Sequence, residues 1–170
     1  MSEQKVTSNH YLIKGLIIAL IIIVLDQVTK IMIFDFLSTR GGYMKILPFF
    51  NLVMVENRGI SFGLFSDKQY SHLFFLVTSS LITVFLLVWL KKAENKVICW
   101  GLALMIGGAV GNIIDRVRMG AVADFLDFHV AGFHWPAFNV ADASICIGAF
   151  FLIIDAIFFS NGKKSTMNDV

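Results

Sequence analysis

Charge is scarce in this chain. Asp, Glu, Lys and Arg supply 15% of its 170 residues, where an ordinary soluble domain carries about a quarter. That shortage excludes a soluble globular surface. Basic surplus is also lacking: the net charge is +2, too small to point to nucleic acid. Proline occurs twice, at Pro48 and Pro136, and neither interrupts a long apolar run. Broken midplane helices of the transporter kind are therefore not indicated. Only two cysteines are present, Cys99 and Cys146, both inside apolar runs. They offer no disulfide framework and no C-x-x-C metal spacing, and they read as small buried hydrophobes.

What is there is apolar: 57% of the chain. Four runs are long enough to cross a bilayer, which takes roughly 20 apolar residues. They lie at about residues 11–34, 71–90, 97–114 and 138–159. Spans so few must be helices, because backbone groups in lipid have to be satisfied within the segment. Tyr11, Tyr70, Trp89 and Trp100 stand at run ends, where interfacial aromatics belong. The first run is too long for a typical signal-peptide core, and no small-x-small site follows it. A retained first span is expected.

Lysine placement sets the expected orientation. Raw counts tie at seven basic residues on each side, but residues 91–96 hold three lysines in six positions. That density places both termini in the cytoplasm. The two extracytoplasmic segments are then about residues 35–69 and 115–137. In the first, Phe49–Asn57 is rich in strand formers, Asn57-Arg58-Gly59 reads as a turn, and a short apolar stretch follows at residues 60–65. The second segment is expected to carry a short interfacial helix. The expected fold is an all-α polytopic membrane protein, one domain over residues 1–170. It has four transmembrane helices, a small extracytoplasmic β-sheet and that interfacial helix.

Two carboxylates stand out at the outer boundary. Asp142 heads the last apolar run in FNVADAS, and Asp124 lies eighteen residues upstream in GAVADFLDFH. Carboxylates at the mouth of a membrane helix are costly and usually mark function. Two in contact share a proton, giving one base to activate water and one acid to polarise a carbonyl. The bland alternative is helix capping or solvated loop carboxylates. Asp127, His129 and His134 lie near Asp124, yet their spacing matches no metal motif. Ser144 has no lysine or histidine at an obvious spacing for nucleophilic catalysis.

Gly107 and Gly111 form G-x-x-x-G, which lets helices approach closely. Asn112, Asp115 and Arg116 follow on one helical face. They read either as an interfacial polar cap or as a polar wall holding substrate backbone. Asp26 and Lys30 form an i, i+4 pair in LDQVTK, read as a mutually neutralising structural pair. Asp155, near the other end of the last span, is expected to snorkel or pair.

Taken in order, LDQVTK, ENRGISFGLF, GGAVGNIIDR, VADF and FNVADAS resemble the motifs of bacterial lipoprotein signal peptidase, or signal peptidase II, over about residues 15–160. The resemblance implies an aspartic endopeptidase without metal or cofactor. It implies removal of signal peptides from diacylglyceryl-modified prolipoproteins, with cleavage just before the lipidated cysteine. Carried over by motif, Asp124 and Asp142 are the catalytic pair. Asn57, Asn112, Arg116 and Asn139 fall at substrate-pocket positions, which also meet globomycin-type inhibitors. Asp26 and Lys30 are structural. The implied setting is the bacterial cytoplasmic membrane, with the site at the extracytoplasmic face among membrane phospholipids, and a monomer is expected. The rival is a small ion or proton-coupled channel or transporter using Asp26, Asp124 and Asp142. It requires carboxylates spread across membrane depth.

Overall fold

The computed structural model describes residues 2–59 and 68–158, with side chains described within 10–59 and 73–158. Residue 1, residues 60–67 with the apolar stretch at 60–65, and residues 159–170 lie outside the described residues. Four helices are present: α1 (Ser2–Ser38), α2 (Lys68–Leu90), α3 (Lys96–Met119) and α4 (Val140–Phe158). Each contains a segment long and apolar enough to cross a membrane, and the chain is a multi-pass membrane protein.

The third helix is the hub. More than half of its span is buried, 56%, against 17% in each of the other three. Glycines make this possible. A Cβ on Gly107 would lie 2.8 Å from the Ala19 carbonyl oxygen of α1, and one on Gly101 would lie 2.9 Å from the Gly148 carbonyl oxygen of α4. Backbones at that separation tolerate no side chain. The inward face of α1 recurs at Gly15, Ala19, Asp26, Lys30 and Leu37, all buried, while Ile17, Leu20, Ile21 and Val24 between them face outward. Four- and seven-residue steps keep one stripe on one side of a helix. Cys99 is buried as expected, but Cys146 lies on the exposed face of α4.

Helix ends are capped by their own sequence. Asn95 accepts a hydrogen bond from the Ile98 N–H at 2.9 Å, and Gly120, at φ +69°, closes α3 by donating to the Arg116 carbonyl. Asp155 pairs rather than snorkels: its carboxylate accepts from the Asn95 amide at 2.7 Å.

Both segments expected outside the membrane feed one antiparallel sheet. Its strands are β1 (Tyr43–Leu47), β2 (Phe50–Asn57), β3 (Val122–Val130) and β4 (Phe133–His134), in the order β1-β2-β3-β4. The expected short interfacial helix is not formed in residues 115–137. There α3 runs on to Met119, the left-handed Gly120 stops it, and Val122–Val130 extends as a strand. The physical reason is pairing. Hydrogen bonding to β2, with Val55 opposite Asp124 and Asn57 opposite Val122, satisfies the backbone that a helix would otherwise satisfy. Ala131 and Gly132, both at positive φ, make the tight turn into β4. Phe50 and Phe138 flank Phe128 at ring distances of 4.7 and 5.9 Å, tying the sheet to the segment that enters α4.

Candidate active site

Asp124 is carried on β3 and Asp142 in the first turn of α4. Asn139, the residue just before α4, joins them. Its side-chain amide donates to Asp124 Oδ1 at 2.7 Å, and its backbone N–H donates to Asp142 Oδ2 at 3.3 Å. In return the Asp142 N–H donates to Asn139 Oδ1 at 2.9 Å. The two residues make a reciprocal cap three positions apart, which fixes the start of α4 and the Asp142 carboxylate together. The Asp142 carboxylate thus caps α4 and shares Asn139 with Asp124.

Each aspartate has a second amide partner. Asn57, at the end of β2, donates to Asp124 Oδ2 at 2.9 Å, and its own oxygen accepts from the Gly59 N–H at 2.9 Å in the expected turn. Asn112, on α3, donates to Asp142 Oδ1 at 2.8 Å. The sheet therefore brings Asn57 to Asp124, and the helix bundle brings Asn112 to Asp142.

Behind Asn112 lies a buried ionic network. Lys30 Nζ sits 2.8 Å from Asp26 Oδ2 and 2.7 Å from Asp115 Oδ2, and donates to Asn112 Oδ1 at 3.1 Å. Gln27 bridges Asp26 and Asp115 from the side. Asp26 Oδ1 accepts from the Ala141 N–H, and Asp115 Oδ2 from the Ala123 N–H. Each of these backbone donors belongs to the residue preceding an aspartate of the pair. The sequence reading identified Asp26 and Lys30 but missed that Asp115 and Gln27 complete their network. Only the spacing Asn112–Asp115 on one helical face hinted at it.

Burial pushes the Asp124 carboxyl up to about 6, with the neighbouring Asp142 charge adding to the rise and the Asn57 and Asn139 amides opposing it. Asp142 stands in the first turn of α4, at the positive end of its dipole, so the two carboxylates sit in different surroundings.

Two cavities lie beside this site, one bordered by Asp124 and the other by Asn112, the amide partner of Asp142. One of about 510 Å³ lies on the sheet side, bordered by Val55, Glu56, Asn57, Arg58, Asp124 and Pro136. The other, about 250 Å³, lies among α2, α3 and α4, where Asn112 and Arg116 meet Ser79, Ile82, Leu86 and Met105. Arg116 stands over the Phe75 ring at 5.8 Å. Of the four residues expected to meet substrate, Asn57, Arg116 and Asn112 border these cavities, and Asn57 and Arg116 are the accessible ones. Asn139 is fully buried and Asn112 nearly so, and their amides face the aspartates.

The nearby Asp127, His129 and His134 do not form a ligand cluster. Asp127 receives His134 Nδ1 at 2.8 Å and the Asn51 amide at 2.7 Å, and Asn51 in turn accepts from Tyr43. Burial works against the Asp127 anion, but these partners hold its carboxyl below the ordinary range. The arrangement braces the strands.

Comparison with known proteins agrees with this geometry. The sequence profile of the family described as Signal peptidase (SPase) II matches residues 18–158. A lipoprotein signal peptidase of Janthinobacterium sp. (strain Marseille) is 44% identical over 158 residues, 92% of this chain and 95% of that protein. One from Ralstonia nicotianae is 47% identical over 137 residues, 79% of each chain. A solved structure described as a bacterial membrane enzyme, obtained by the in meso method at 2.3 Å resolution, is 31% identical with a TM-score of 0.70, covering 92% of both chains. With its helices, its sheet and its motif order all in agreement, the chain belongs to the signal peptidase II family of membrane peptidases.

Proposed function

We propose that this protein removes signal peptides from diacylglyceryl-modified prolipoproteins by aspartic catalysis, cutting before the lipidated cysteine. The observation that carries the mechanism is the Asn139 bridge, which holds Asp124 and Asp142 side by side in unequal surroundings. Asp124 holds the shared proton. Asp142, fixed by Asn112 and Asn139, is the base.

Water attacks the scissile carbonyl carbon and passes a proton to Asp142, while Asp124 gives its proton to the carbonyl oxygen. The tetrahedral diol then collapses. Asp124 takes back the hydroxyl proton, Asp142 delivers its proton to the leaving nitrogen, and the C–N bond breaks. The dyad as a whole ends where it began. Asn57 and Arg116 face the substrate, and Asn112 and Asn139 are positioning residues. The cavity among the helices takes the apolar signal-peptide side of the scissile bond, and the cavity beside the sheet takes the polar side. Acyl chains hold the substrate in the bilayer and bring the bond to the boundary, an entropic contribution to rate. The same reading places the enzyme in the bacterial cytoplasmic membrane, termini inside and carboxylates at the outer face, acting as a monomer. Globomycin-type inhibitors would occupy the same polar pocket.

A channel is not favoured. Asp26, Asp124 and Asp142 converge on one network at one end of the bundle instead of stepping across it, and Asp26 is closed in by Lys30 and the α4 N-terminus.

The test is cleavage of a diacylglyceryl-modified prolipoprotein by the purified full chain in detergent. Asp124→Asn and Asp142→Asn should each lower the rate by at least ~10³-fold while the protein still inserts and purifies. EDTA should leave the rate unchanged. Substantial cleavage by either variant, or loss with EDTA, would overturn the aspartic mechanism.

A further inference from the structure

We propose that a groove between α1 and α3, at the membrane boundary opposite the carboxylates, binds an anionic phospholipid. The groove is a cavity of about 340 Å³ bordered by Tyr11, Lys14, Ile17, Ile18, Lys96 and Trp100. Lys14 precedes Asp26 by twelve residues and Lys96 precedes Asn112 by sixteen, roughly 18 and 24 Å along their helices. The groove is therefore remote from the peptidase site and makes no use of it.

Among the described residues neither Lys14 nor Lys96 forms an ion pair. Lys96 occupies the first position of α3, whose first turn has no acidic residue. A cation there adds to the positive end of the helix dipole instead of opposing it. The Asp155 carboxylate accepts from the Asn95 amide at 2.7 Å and forms no ion pair with Lys96. Two ammonium groups beside a helix N-terminus thus line the groove without an ion-pair partner among the described residues, which is the chemistry of a phosphate acceptor.

The walls select a lipid over a free anion. Ile17 and Ile18 form an apolar side, and Ile17, Leu20 and Ile21 continue as an exposed apolar surface along α1. A phosphodiester seated between the lysines would lay its acyl chains along that surface. Tyr11 and Trp100 border the groove near the starts of their spans, His10–Ser38 and Lys96–Met119, positions where amphipathic rings are favoured. Beside the groove the Cys99 thiol donates to the Tyr11 carbonyl at 3.3 Å, a link between α1 and α3.

The experiment is native mass spectrometry of the full chain released from detergent, titrated with phosphatidylglycerol or phosphatidylcholine. The wild type should retain one phosphatidylglycerol in preference to phosphatidylcholine. Lys14→Gln/Lys96→Gln should weaken that retention roughly 30-fold, as expected for two lysines at a lipid surface. Lys14→Arg/Lys96→Arg should keep it. Lys91→Gln/Lys92→Gln, which removes equal charge from the adjoining loop, should also keep it. Inorganic phosphate at millimolar concentration should not displace the lipid. Equal retention of the two lipids, retention by the glutamine pair, equal loss in the loop variant, or displacement by phosphate would each overturn the proposal.

Discussion

Asp26, inside the first membrane helix, accepts a hydrogen bond from the backbone N–H of Ala141 at 2.9 Å. Ala141 is the neighbour of Asp142, so a charge on α1 helps to position the first turn of α4. Lys30 then links the same assembly to α3 through Asp115 and Asn112. One network thus joins α1, α3 and the start of α4, and most of the expectations below probe it.

Lys30 is the member whose loss costs most. It faces two buried carboxylates, and removing one partner of a buried ion pair typically costs about 3–5 kcal/mol because the other is stranded. Lys30→Ala strands both Asp26 and Asp115. Asp26→Ala or Asp115→Ala leaves Lys30 one acid and should be milder. The double variant Asp26→Ala/Lys30→Ala should recover little, because Asp115 stays unpaired, and adding Asp115→Asn should restore more. Thermal unfolding in detergent ranks these variants. A Lys30→Ala protein that melts no earlier than Asp26→Ala would show that the network is wrongly drawn.

The pH dependence of kcat/KM should reveal Asp124. The productive dyad carries one proton, and Asp124 is raised to about 6 by burial and by Asp142. Activity of the free enzyme should therefore fall as pH rises through about 6. The Asn57 amide stabilises the Asp124 anion. Asn57→Ala removes that support, raises the Asp124 value further, and should move the alkaline limb to higher pH. A limb that stays in place, whatever happens to the maximal rate, would separate Asn57 from Asp124.

Gly111 makes room for the Asp26 carboxylate. A Cβ there would lie 2.5 Å from Asp26 Oδ2. Gly111→Ala should destabilise by about 1–3 kcal/mol, the usual cost of overpacking. It should also lower activity per folded molecule, by displacing the acceptor of the Ala141 N–H. Gly101→Ala makes a comparable clash, 2.9 Å from the Gly148 carbonyl oxygen, toward the other end of α3. That variant should lose stability and keep its specific activity. Equal activity losses would mean that Gly111 matters only as packing.

Reporter fusions after Lys92 should register cytoplasm, and fusions near Arg40 and Gly132 the outer side. The lysine density at residues 91–96 motivates the expectation. The inverted pattern would place the carboxylates in the cytoplasm and contradict lipoprotein processing at the outer face.

Local signals in the chain were legible and distant partnerships were not. Apolar length announced the four helices, and the strand formers of Phe49–Asn57 announced β2. Asp124 and Asp142 were conspicuous because carboxylates beside long apolar runs are costly. Val122–Val130 was obscure for a physical reason. Its first residues, Val122 to Phe125, are all buried, which erases the polar alternation of a half-exposed strand, and its partner β2 lies more than sixty residues earlier. The same holds for Lys30 and Asp115, which meet only because the glycines of α3 let α1 come close. Asn139 is expected from its motif to meet substrate, and its bonds to Asp124 and Asp142, set by distant pairing, were not legible.

Chain order gives the Lys30 network a history. Helix α1 is synthesised before α3 and α4, so it meets lipid when Asp115, Asn112 and the Ala141 N–H do not yet exist. Asp26 and Lys30 stand one turn apart, 2.8 Å between charged atoms, and neutralise each other within the newborn helix. The later helices then add the missing partners. A short-range pair thus serves as a provisional clasp during insertion and becomes one corner of a permanent lock once the last helix arrives.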